Sequence, residues 1–302
     1  MNNVHVGRCR VLFVFLLLVL AGCSNLQVTT STPALQGDIE ILPWPDSVQE
    51  TSGLASRNGL HWTVNDSGNS PQMFALNAAG EVVKHVQVAG AKNIDWESLA
   101  HDSNSVYIAD CGNNLGQRNA FQIYKVAWNA LDHAGVAATV AATEMNIQLA
   151  DYQPPQSRQH NFDCEAITVV DEELWLFTKN RGDGQTRLYR LDKHRLQQTV
   201  TVAAEYPVGG LITGADYDPV TGQLALLGYS RQRLLGYSFL WLVPVTGLPD
   251  WQQAQRLVLQ VYAQWEAVQW LEDGRLLLSC EKSLLSGVSR GLMTPRLPDS
   301  GI

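Results

Sequence analysis

The chain has 302 residues, 45% of them apolar, with 29 acidic against 21 basic side chains and a net charge of −8. Binding to a phosphate backbone needs a basic patch, so no nucleic-acid partner is expected. The balance suits a metal cation or a cationic ligand.

Residues 1–10 hold Arg8 and Arg10 and no acid, and Val11 to Leu20 is an unbroken apolar run. A basic start, a short apolar stretch and small residues at its end make a secretory signal. About ten apolar residues fall short of the ~20 that cross a bilayer. Leu20-Ala21-Gly22-Cys23 resembles the lipobox of bacterial lipoproteins. The resemblance implies cleavage before Cys23, lipidation of its thiol and a membrane held through that lipid. Ser24, rather than Asp, follows the Cys. In the lipoprotein-sorting pattern this points to the outer membrane, with the domain facing the periplasm or the cell surface. The expected organisation is a signal over 1–22, a lipidated Cys and polar tether over 23–37, one β domain over 38–290 and a tail over 291–302. Loss of Arg8 and Arg10 with the signal takes the net charge from −8 to about −10.

Five cysteines are present. Cys9 leaves with the signal and Cys23 carries lipid. Cys111, Cys164 and Cys280 remain in an oxidising compartment, where they allow one internal disulfide and leave one thiol.

Five segments of the β domain share a pattern: a polar start, a short apolar stretch, a turn, and a second apolar strand with a polar end. They begin at Ser52, Asp95, Asp163, Thr213 and Trp265. A spacing near 50 residues is the period of four-stranded propeller blades. Runs such as FQIYKVAW, EMNIQL and YSFLWLVPV supply the further strands. No stretch shows helical periodicity with caps. The predicted fold is therefore all-β, a single propeller of four-stranded antiparallel blades. Five blades are favoured and six are an alternative, with an early strand near Ile39–Leu42 closing the ring.

In such a blade the start of the first strand and the end of the second emerge on one face. That gathers Asp95, Glu97, Asp163, Glu165, Asp216 and Glu266 with Asn65, Asp66, Asp110, Asn113, Asn114, Lys179 and Glu281 around one mouth. Crowded carboxylates repel unless a cation sits among them. Oxygen ligands suit Ca²⁺, so the candidate metal ligands are Asp66, Asp95, Glu97, Asp110, Asp163, Glu165, Glu266 and Glu281. Asn65, Asn113, Asn114, Arg118 and Lys179 are candidate ligand-binding residues, and His160, Glu165 and Lys179 are candidates for catalysis. A different reading stays open: Asp66 and Asp110 bond their own turns, the glutamates brace neighbouring blades, and Lys179 and Arg118 neutralise the ring. Cys111 and Cys164 fall at the mouth on adjacent blades, where a disulfide is expected if their Cα separation allows it. Trp62, Trp96, Trp175, Trp265 and Trp270 recur in the blade cores, and Trp96 and Trp265, each before a Glu, are candidates to line the mouth.

The motifs V-N-D-S-G at 64–68, N-I-D-W-E-S-L-A at 93–100, I-A-D-C-G-N-N at 108–114 and D-C-E-A-I at 163–167 resemble a secreted bacterial propeller family described as phytase-like, or "esterase-like activity of phytase". The first repeat is also similar to SdiA-regulated propeller lipoproteins. The phytase side of the resemblance implies Ca²⁺ in the mouth and phosphoester hydrolysis. A polyphosphorylated substrate calls for more Lys and Arg than Arg118, Lys179 and Arg181. The leading expectation is a monomeric envelope lipoprotein whose acidic mouth binds Ca²⁺ and a small ligand. The alternatives are a metal-dependent phosphoester or carboxylic ester hydrolase, and a scaffold that recruits an envelope protein.

Overall fold

Short apolar runs bounded by turn residues become strands throughout this chain, because each run buries both faces against neighbouring sheets. The computed structural model describes residues 39–232, 236–259, 263–282 and 289–297. The expected signal, Cys23 and the tether lie outside the described residues.

The strands make five sheets. β1 (Glu40–Pro43) comes first. The first blade then holds β2 (Thr51–Arg57), β3 (Leu60–Asn65), β4 (Gln72–Leu76) and β5 (Val82–Ala89). The second holds β6 (Trp96–His101), β7 (Ser105–Asp110), β8 (Ala120–Ala127) and, after helix α1 (Trp128–His133) and strand β9 (Ala137–Ala141), β10 (Thr143–Leu149). The third holds β11 (Cys164–Val170), β12 (Glu173–Thr178), β13 (Thr186–Asp192) and, after β14 (Gln197–Val200), β15 (Val202–Tyr206). The fourth is β16 (Leu211–Asp218), β17 (Gln223–Tyr229), β18 (Ser238–Pro244) and β19 (Gln255–Leu259). The fifth is β20 (Trp265–Trp270), β21 (Leu276–Cys280) and β22 (Arg290–Met293), completed by β1. Glu40 to Pro43 pairs antiparallel with Met293 to Arg290, so chain start and chain end share one blade. The first strands touch in the closed order β2, β6, β11, β16, β20 and back to β2. The result is the expected five-bladed propeller, closed by the N-terminal strand.

Two details depart from expectation. The first and second blades have five strands, because each receives a parallel strand from its successor: β9 pairs with β5 and β14 with β10. A lent strand covers an open sheet edge and ties two blades together. The other departure is α1, six residues long, too short to show a period in sequence.

The apolar core is divided into five clusters, each between two adjacent blades. Trp96, Trp175 and Trp265 are wholly buried there, and each such side chain contributes about 1.5–3 kcal/mol. Trp96 and Trp265 therefore do not line the mouth: they fill the inter-blade core one residue before it. Only Trp270 among the recurring tryptophans is partly exposed.

Candidate cation centre at the channel mouth

In every blade the pairing of first and second strands slips by one residue. The slips fall between Thr51 and Gly53, Trp96 and Ser98, Cys164 and Ala166, Ile212 and Gly214, and Trp265 and Ala267. The extra residue of such a bulge is unpaired and its side chain is re-aimed. The five extra residues are Ser52, Glu97, Glu165, Thr213 and Glu266. One repeated irregularity thus sets five side chains around one end of the channel, here the near mouth. The two small ones brace the ring. Ser52 Oγ donates to Trp96 O at 2.7 Å, and Thr213 Oγ1 donates to Trp265 O at 2.6 Å, each the residue before a neighbour's bulged Glu. Hydroxyls do the bracing that could have explained the glutamates.

Arg118, Arg181 and Lys179 at the mouth are already paired. Arg118 Nη1 lies 2.9 Å from Asp110 Oδ1, and Asp110 also accepts from Asp95 N at 3.0 Å and Ile94 N at 3.4 Å. Arg181 contacts Asp163, whose other oxygen accepts from Asn113 N at 2.7 Å. Lys179 Nζ lies 2.8 Å from Glu165 Oε2 and over the Tyr229 ring. Burial opposes the Lys179 charge, but Glu165, Tyr229 and Glu266 outweigh it and hold the amine well above its usual range. Asp110 and Asp163 are thus organisers of backbone, and Glu165 is a buried ion-pair partner.

Three other acids converge with no ion pair of their own among the described residues. One oxygen each of Asp66, Asp95 and Glu97 lies within 4.8 Å of the others. Asn93 arranges this: its Nδ2 donates to Asn65 O at 2.9 Å and Asp66 O at 2.8 Å, while its Oδ1 accepts from Trp96 N at 3.2 Å. The end of the first blade's second strand is thereby tied to the start of the next blade. Gly112 supplies the room, since a Cβ there would collide with the carboxyls of Asp95 and Glu97. Burial pushes all three acids up, Asp66 to about 7, and their neighbours Glu165, Asp95 and Asp66 add to it. Glu266 and Glu281 are pushed up too, Glu281 to about 7, first by burial and then by other acids of the mouth. Asn65 Oδ1, buried beside this cluster in sequence, has no hydrogen-bond partner among the described residues.

Cys111 and Cys164 are joined, with Cα atoms 5.3 Å apart. The bond ties the Asp110–Gly112 turn to the Asp163–Glu165 bulge, and Cys280 is the buried free thiol. Asn113 is a buried brace: its Nδ2 donates to Arg118 O and Phe162 O, and its Oδ1 accepts from Arg118 N. Asn114 is exposed and accepts from Arg181 at 2.6 Å. His160 is buried behind this loop, where its Nδ1 accepts from Phe162 N at 3.2 Å and its Nε2 lies under Gly116. Burial lowers its pKa.

Asp216 is not at this mouth. β16 enters at Leu211 and leaves at Asp218, so Asp216 belongs to the opposite end, and the mouth position in the fourth blade is Thr213. Sequence alignment of the repeats by their acids misplaced it by three residues. At that far end a polar chain crosses the channel: Ser56 Oγ lies 2.7 Å from His61 Nδ1 and donates to Gln269 Oε1 at 2.8 Å, and Gln269 Nε2 lies 3.2 Å from His101 Nε2. The sequence reading also passed over Ser52, Asn93, Gly112 and Tyr229. A small or hydroxyl residue where other repeats have Glu was the available signal for Ser52 and Thr213.

No family model matches the chain, and no curated protein matches it. Among solved structures it is similar to the catalytic domain of an α-L-arabinofuranosidase from Coprinopsis cinerea, at 10% identity over 87% of this chain and 98% of that one, TM-score 0.51. It is also similar to an exo-β-1,3-galactanase from Phanerochaete chrysosporium, at 10% identity over 85% of this chain and 64% of that one, TM-score 0.52. The PQQ-bound aldose sugar dehydrogenase of Streptomyces coelicolor aligns at 11% identity over 87% and 99%, TM-score 0.48. Likeness at such identities shows the propeller fold alone.

Proposed function

We propose that this protein is an envelope lipoprotein, anchored through Cys23, whose near mouth binds Ca²⁺ and, through the ion, a small ligand. The observation that carries the reading is the convergence of Asp66, Asp95 and Glu97 within 4.8 Å. Oxygens that each lie about 2.4 Å from one ion can be at most about 4.8 Å apart. The absence of a side chain at Gly112 lets the Asp95 and Glu97 carboxyls approach each other, as an oxygen-ligated cation would require. The ion would offset both the burial and the repulsion that raise these carboxyls. The phytase-like alternative draws less support, because Arg118, Lys179 and Arg181 are each held by a carboxylate and not left to meet phosphate.

Calorimetric titration of the purified protein with Ca²⁺ tests the reading. One site is expected, with a melting temperature that rises with Ca²⁺ by mass action. Glu97→Gln should abolish the heat and the rise. At the same time it should stabilise the calcium-free fold by about 1 kcal/mol at high pH, by removing a carboxyl whose charge is opposed by burial and by its neighbours. Saturating Ca²⁺ that leaves melting unchanged would return the mouth to a salt-bridge network. Mass spectrometry of the N-terminal peptide, with acyl mass on Cys23, tests the anchor separately.

A further inference from the structure

The far end of the channel opens into a cavity of about 540 Å³ lined by hairpins of all five blades. That is within the size range of small-molecule sites. Its wall includes the partly exposed rings of Tyr217 and Trp270 and the partly buried carboxylate of Asp216. Asp216 is fixed there: Oδ1 accepts from Thr168 Oγ1 at 3.3 Å and Oδ2 from Trp270 N at 2.7 Å. On the rim, Asp171 and Glu272 carry carboxylates with no protein partner among the described residues. The one lining cation, Arg57, is spent on Asp132 at 2.9 Å and Ser103 O at 3.1 Å.

The geometry points to a second binding site at this far mouth, for a small organic cation such as a quaternary or primary amine. An ammonium set against Trp270 and Tyr217 meets the negative faces of two rings. It gains the field of Asp216, Asp171 and Glu272, while the two cations beside them are paired elsewhere, Arg57 with Asp132 and Lys193 with Asp102 and Glu172. A neutral ligand of the same shape would gain the aromatic contact and not the field, and an anion would be repelled. Burial pushes Asp216 up to about 7, so a proton competes with the ligand and the site fills better above that pH. The site is independent of the proposed Ca²⁺ centre and uses none of its residues.

The test is calorimetry and tryptophan fluorescence with choline and with dimethylbutanol, its neutral carbon isostere, on the full-length protein. Choline is expected to bind about tenfold or more tightly than the isostere and to perturb the fluorescence, as a desolvated cation–π contact requires. Binding should strengthen between pH 6 and pH 8, which brackets the proton competition about one unit either side of the Asp216 value. Asp216→Asn should weaken choline about tenfold, the usual yield of a lost charged contact. Glu272→Gln, on the exposed rim where folding is not at stake, should weaken it about threefold. Equal affinity for choline and its isostere, no binding of either, or choline binding unchanged in both variants would overturn the assignment.

Discussion

At the near mouth Asp66, Asp95 and Glu97 converge from two blades, whereas at the far mouth Asp102, Asp218 and Asp273 each serve their own turn. Asp102 accepts from Asn104 N and Ser105 N at 2.8 and 2.9 Å, Asp218 from Val220 N at 2.9 Å, and Asp273 from Arg275 N at 3.1 Å. An aspartate two residues before its donor is satisfied locally and needs nothing from the fold. Burial would raise Asp102, yet the two backbone N–H groups, Tyr107 and Lys193 outweigh it and hold its pKa low. The near-mouth acids go the other way. The difference lies in the backbone: tight hairpins end the strands at the far side, while a bulge re-aims each first strand at the near side. Asp216 departs from that pattern, because its partners come from two other blades.

The largest expected effect is on the near mouth alone. Replacing both Cys111 and Cys164 by Ser opens a link spanning 53 residues. By chain entropy that costs about 4 kcal/mol, read from urea denaturation, and it should weaken Ca²⁺ because Gly112 loses its anchor. Next is Lys179→Met, which leaves buried Glu165 only the longer contact to Arg181, at 3.7 Å. A loss of about 3 kcal/mol is expected, growing as pH rises and Glu165 gives up the proton that burial favours. A loss below 1 kcal/mol would mean that Lys179 does not carry the ring's charge.

Asp216 tests the exception at the far mouth. Its folded pKa, about 7, lies above the ordinary carboxylate value of 3.8, so the native state holds the proton that the unfolded state has lost. The resulting stability is full below about pH 4 and is lost as pH rises from about 4 to about 7. Asp216→Asn should flatten that part of the profile and gain about 2 kcal/mol at pH 8, a discount on the full shift for partial exposure. A pH profile identical to the parent's would remove Asp216 from the account. The smallest effect belongs to Arg57→Gln, which removes a far-mouth pair with Asp132 that is open to solvent. Less than about 1 kcal/mol should be lost in thermal melting, and salt should erase the difference.

The sequence by itself determined the blade period, the closing strand, and that Glu97, Glu165 and Glu266 occupy equivalent places, because all three follow from local alternation and repeat spacing. It placed Cys111 and Cys164 on adjacent blades, but not the distance between them. Only the tertiary structure decided which acids meet. Asp110 and Asp163 look like Asp66 and Asp95 in sequence, yet two backbone N–H groups and Arg118 occupy the first, and Asn113 and Arg181 the second. The bulge that makes Ser52 and Thr213 the partners of three glutamates is a shift of register between strands. Register depends on pairing across the sheet, and a carboxylate's neighbours depend on which blade packs beside it. Neither is written in the residues on either side of it.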